Sequence, residues 1–150
     1  DPTNFGTTTV ASASTRRQIF ATIFSSVSGT FTADEEINQA TTGAVGKVVE
    51  FDSTNKILYY YQTRFPDVGT DTNGNLTAFS GANAITGQTS SAAATPNTSS
   101  SATVNAVVFS SGYSNPELAY DSGDIIYVEE RSPITRASDQ TENIKLIVEF

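Results

Sequence analysis

Residues 16–24 read RRQIFATIF. Whether that run is a strand with two covered faces or an arm lying on a neighbour sets the architecture around it. In extended backbone successive side chains point to opposite faces, so Ile19, Ala21 and Ile23 share one side and Phe20, Thr22 and Phe24 the other. Both sides are mostly apolar, unlike the alternation of a strand with one wet face. The run is therefore a strand covered twice, or an apolar patch offered to another chain. On the second reading Ile19, Phe20, Ile23 and Phe24 are candidate interface residues.

Before this run, DPTNFGTTTVASAST carries no period and ends in a Ser/Thr/Ala cluster, which predicts an extended arm or linker over residues 1–15. After it, residues 29–63 read as a β-meander, with a short strand at Phe31, a second from Val45 to Phe51 and a third from Ile57 to Gln62. Asp52-Ser53-Thr54-Asn55 supplies the turn between the last two. Strict alternation puts Val48, Glu50 and Asp52 on one face and Val49 and Phe51 on the other. It likewise separates Leu58 and Tyr60 from Tyr59 and Tyr61.

Asn73-Gly74 is a hairpin signal, and the glycine of DTNGN stands at the wrong position for a calcium loop. A weak internal echo pairs GTFTA at 29–33 with GNLTA at 74–78, and INQATTGA at 37–44 with ITGQTSSA at 85–92. Two copies suggest two similar meanders stacked as the halves of a sandwich. Residues 88–103 are Ser/Thr/Ala-rich with one proline, and they read as a mobile loop. Further strands are expected at 104–109, 125–128 and 144–148. The fold class is all-β, an antiparallel sandwich or set of meander-rich sheets with long Ser/Thr/Gly-rich loops, and residues 16–150 form one domain.

Composition removes whole classes of function. The net charge of −8 repels nucleic acid and anionic lipid, and no apolar run approaches the ~20 residues of a membrane-spanning helix. With no histidine and no cysteine, the chain has no Ser-His-Asp triad, thiolate nucleophile or His/Cys metal site. Candidate acids remain at Asp34, Glu35 and Glu36 and at Asp124, Glu129 and Glu130, in positions typical of solvated turns and edges. No glycine-rich phosphate loop is present, so no cofactor and no catalysis are expected. Asp1 rather than Met leads the sequence, which suggests a processed chain or part of one. Tyr59, Tyr60 and Tyr61 raise an alternative, a receptor- or carbohydrate-binding module with a stacking platform.

The segment EERSPITRASDQTE, residues 129–142, reads as an ordered connector between two strands. Pro133 fixes its own φ and extends Ser132, Asp139 and Glu142 have capping-box spacing, and Arg131 and Arg136 suit planar pairing with carboxylates. Together with Ser122-Gly123-Asp124, Ile126-Tyr127, Gln140, Thr141, Ile144 and Phe150, these residues resemble the end of the baseplate wedge subunits of T4-type contractile-tailed phages, the family of the product of gene eight. The resemblance implies a β-sandwich subunit of the virion tail, assembled in the host cytoplasm, that pairs with a copy of itself and locks neighbouring wedge proteins together. It implies no catalysis and no cofactor. Tyr127, Glu129, Arg131, Pro133, Arg136, Asp139, Gln140 and Glu142 are its candidate contact residues.

Overall fold

A computed structural model of the chain describes residues 2–12, 17–63, 69–119 and 122. Among these the ordered elements are all strands: β1 Phe20–Ser28, β2 Glu36–Gln39, β3 Ala44–Asp52, β4 Ile57–Tyr61, β5 Ile85–Gly87, β6 Ala93–Pro96, β7 Thr103–Val104, β8 Val107–Val108 and β9 Tyr113–Ser114. Every pairing is antiparallel, and the main sheet runs in the order β4-β3-β2-β5-β6-β1-β9, with the short β9 pairing to Ala21 and Thr22 of β1. The sheet then curls until β4 meets β1, with Phe20 opposite Tyr60, Ala21 opposite Tyr59, Thr22 opposite Leu58 and Ile23 opposite Ile57. The expected two halves are present, and this seam sews them into a closed six-stranded ring.

Closure explains the doubly apolar strand. Inside the ring Phe24, Ile37, Ala44, Val48, Leu58, Tyr60, Ile85 and Ala94 form the main core, to which all six strands contribute. Phe20 packs against the same core, its ring stacked 5.5 Å from Tyr60. Outside the ring Ala21, Ile23 and Ile57 form a second core with Val107 and Phe109, because the β7–β8 hairpin lies over the seam. Ile23 and Phe24 are thus buried within the chain. The strand is covered twice by its own fold, so Ile23 and Phe24 are not exposed docking residues, and Ile19 and Phe20 are half-buried.

Four further expectations are corrected. Residues 2–12 are not an extended arm: they turn back on themselves and pair with residues 117–119. Phe31 stands in a loop, and the short strand is β2. The 88–103 loop contains β6, whose Ala94 and Pro96 are buried between β5 and β1; small side chains allow that close approach. The run at 104–109 breaks into β7 and β8, since Asn105 and Ala106 both take positive φ, 51° and 61°, as a two-residue hairpin turn requires.

A β-bulge modifies the meander. The β3–β4 register slips between Val48 and Glu50, leaving Val49 exposed and turning Phe51 inward beside Val48. On β4 the expected alternation holds for Leu58 and Tyr60, which are buried. Tyr59 packs under the hairpin in the second core, and Tyr61 alone is exposed. With Tyr60 buried inside the ring and Tyr59 covered by the hairpin, the three tyrosines form no exposed stacking platform.

The internal echo is stronger than the sequence suggested, with a constant offset of 48 residues. Phe31, Ile37, Ala44, Gly46 and Val48 correspond to Phe79, Ile85, Ala92, Ala94 and Pro96, and all ten are buried. Registers match as well: Ile37 faces Gly46 as Ile85 faces Ala94, and Asn38 faces Val45 as Thr86 faces Ala93. Gly43 and Ser91 occupy equivalent turn positions with φ of 76° and 58°. Phe31 packs near Phe24 and Phe51, and Phe79 near Tyr60, so equivalent rings fill opposite ends of the ring. The Phe31 counterpart is Phe79, not Leu76.

Two substitutions test this packing by urea unfolding. Leu58→Ala should cost about 2–5 kcal/mol and Tyr61→Ala at most ~0.5 kcal/mol. Ala106→Gly should add about 0.5–1 kcal/mol, because glycine adopts the left-handed turn without the steric cost that alanine carries.

Candidate functional site

The polar groups that look most like chemistry are two buried oxygens at equivalent places in the repeat. Glu35 lies in the loop before β2, 5% exposed. Its carboxylate accepts bonds from Thr32 N (2.6 Å), Ser90 N (2.9 Å), Thr89 N (3.1 Å) and Ser90 Oγ (2.8 Å). Gln39, fully buried, receives Ser80 N (2.9 Å) and Thr42 Oγ1 (2.8 Å) on Oε1, and its Nε2 donates to Asn83 O (2.8 Å). Thr32 and Ser80 are 48 apart, as are Thr42 and Ser90. Each oxygen ties a loop before one hairpin to the turn of a hairpin, and Gly87 keeps the space free, since a Cβ there would come within 2.6 Å of Glu35 Oε2.

Burial alone would raise the Glu35 carboxyl, but the donors from Ser90, Thr32 and Thr89 outweigh it and hold the group below its ordinary value of 4.5. A catalytic acid needs the opposite displacement. Asp34 and Glu36, its neighbours in sequence, are exposed. Asp71 is likewise a turn residue, accepting Asn73 N and Asn75 N at 2.8 Å each.

A second polar centre is Arg17, at the foot of the seam. Its guanidinium donates to the carbonyls of Ile19 and Asn115 and to Ser114 Oγ (2.7 Å), while its own carbonyl accepts Glu117 N (2.7 Å) and Leu118 N (3.1 Å). A groove of about 520 Å³ opens between Arg17, Tyr113, Asn115 and Val108. Val108, on the hairpin over the seam, is 66% exposed, the most exposed large apolar residue among those described. Sequence reading missed Arg17, Gln39 and Glu35 as anchors, because each acts through backbone partners 40 to 100 positions away.

Of the sequence candidates, Ile23 and Phe24 are core, Ile19 and Phe20 half-buried. Tyr127, Glu129, Arg131, Pro133, Arg136, Asp139, Gln140 and Glu142 lie outside the described residues, as do Asp124, Glu130 and the strands expected at 125–128 and 144–148.

The Glu35 anchor gives a signed pH dependence. A carboxyl held below its ordinary value adds stability above about pH 4.5 that is lost as the pH falls through its folded value. Glu35→Gln should therefore cost about 1–3 kcal/mol at pH 7, and the gap from the unsubstituted chain should shrink toward pH 3 in chemical denaturation. A gap that stays constant would assign the loss to packing instead.

Comparison with known proteins bears on what these anchors serve. The model of the Phage-Gp8 family, described as Bacteriophage T4, Gp8, matches residues 55–150. The match begins in the β3–β4 turn and includes the C-terminal residues that carry the sequence resemblance. No curated protein and no solved structure matches the chain. Since the family model covers more than half of its length, this all-β chain belongs to the Phage-Gp8 family, the structural proteins of the phage tail baseplate.

Proposed function

We propose that the chain is a wedge subunit that holds neighbouring baseplate proteins together through protein–protein contacts, pairs with a copy of itself and is assembled in the host cytoplasm. The observation that carries this reading is the family match over residues 55–150. The connector at 129–142 is its principal contact surface, with Arg131 and Arg136 forking onto carboxylates of a partner and Tyr127, Glu129, Pro133, Asp139, Gln140 and Glu142 shaping the surface around them. Nucleic acid and membranes are not partners, in keeping with the acidic balance.

The role is structural rather than catalytic. Glu35, the one buried acid among the described residues, is saturated by donors from its own chain. Tyr60 is buried and Tyr59 is packed under the hairpin, which weighs against the glycan-binding alternative.

Size-exclusion chromatography with light scattering, alone and with candidate tail proteins, tests the proposal. The expected result is self-association plus a stable complex with at least one tail protein. Arg131→Ala combined with Arg136→Ala should weaken that complex at least about tenfold, near 1.4 kcal/mol. A chain that stays monomeric with every tail protein but is retained selectively on glycans would contradict the scaffold role.

A further inference from the structure

The N-terminal residues make a contact that neither core requires. Residues 2–11 close on themselves through Asn4 N to Thr9 O (2.9 Å) and Ala11 N to Pro2 O (2.8 Å). One side of this small loop pairs with the chain after β9: Phe5 N donates to Glu117 O (3.0 Å), Ala119 N to Thr3 O (2.9 Å) and Thr3 N to Ser122 Oγ (2.7 Å). Its apolar anchor is Phe5, whose ring meets Phe20 edge-to-face at 5.8 Å. Residues 6–10 are exposed, and no residue of the loop belongs to either core.

The strip it covers is held independently from the other side, where Arg17 O receives Glu117 N and Leu118 N. Removing the loop would leave residues 117–119 anchored to Arg17, with one backbone edge vacant and the Phe20 ring beside it. An anchored, vacant edge is the receiving half of strand addition, in which main-chain bonds supply affinity and a neighbouring pocket selects the side chain. A segment held by few bonds and one ring opens far more readily than a closed barrel.

We propose that residues 2–11 are a releasable strap: paired in cis they occupy the 117–119 edge, and once released they leave it to an extended strand of a neighbouring protein chain. The incoming strand places an aromatic side chain where Phe5 rests on Phe20. Use of the edge by another baseplate protein rests on the scaffold reading above; existence of the releasable edge does not.

Amide hydrogen exchange by NMR tests it in the full chain carrying Phe5→Pro, which removes both the amide bonded to Glu117 O and the ring on Phe20, and in a variant lacking residues 2–11. The Ala119 amide should exchange about tenfold faster or more, while Glu117 and Leu118 keep their protection from Arg17 O and Ile37, Val48 and Leu58 are unchanged. Adding the peptide PTNFGTTTVA to the shortened chain should restore slow exchange at Ala119, and the same peptide with alanine for Phe5 should not. Unaltered Ala119 exchange, acceleration of barrel amides in step with Ala119, or failure of the peptide to restore protection would each overturn the proposal. Absence of any complex with tail proteins would count against the scaffold reading and leave these exchange results standing.

Discussion

The rest of the structure depends on the antiparallel pairing of β1 with β4. Without it, β2, β3 and β4 and β5, β6 and β1 would be an open sheet with two unpaired edges, each a template for aggregation. With it, the edges vanish, and the six inward faces enclose side chains from all six strands. A ring this narrow is filled by side chains from all six of its strands. The seam is also the place where the molecule needs a second layer. Ala21, Ile23 and Ile57 point outward there, and the β7–β8 hairpin covers them with Val107 and Phe109.

The ring is built from one pattern used twice. Buried residues recur at a spacing of 48, the β2–β3 and β5–β6 hairpins share a register, and β2 and β5 pair with each other, where Thr86 Oγ1 donates to Asn38 Oδ1 at 2.6 Å. Both buried oxygens come from the first half, where Glu35 and Gln39 stand opposite Asn83 and Gly87 in the repeat, and each bridges a loop of one half to a turn of the other. Glu35 receives four donors as a carboxylate, whereas Gln39 uses an amide that both accepts and donates. Each solution satisfies its polar atoms fully, as a buried polar group in a dry interior must. The order of strands shows why β1 is so apolar: it completes the half begun by β5 and β6 while standing first in sequence.

Much of the fold was legible because it rests on local rules. The all-β class, the β3–β4 hairpin with its Asp52 turn, the separation of Leu58 and Tyr60 from Tyr59 and Tyr61 and the turn at Asn73-Gly74 follow from alternation and turn chemistry. The Asp52 carboxylate indeed caps Thr54 N and Asn55 N at 3.0 Å. What failed needed information from elsewhere in the chain. β6 is a run of alanine and threonine that looks mobile alone and is a strand because β5 and β1 flank it. Strict alternation puts Val49 on the face of Phe51, and the bulge separates them. Phe20 and Phe24 look like a docking patch because what covers them, such as Phe5 and Tyr60 on Phe20 and the β6 residue Pro96 opposite Phe24, comes from other parts of the chain. The family was legible from the C-terminal pattern, since that pattern combines residue types no single secondary-structure rule demands.

A closed ring suits a baseplate protein, because an assembly component with open sheet edges would pair indiscriminately before reaching its site. The most direct test of this account is NMR of the full chain, reading cross-strand proton contacts between Thr22 and Leu58 and between Phe20 and Tyr60. The account predicts those contacts, with amide protection at the seam equal to that between β3 and β4. Missing contacts together with fast exchange at Thr22, the mark of a free edge on β1, would contradict it.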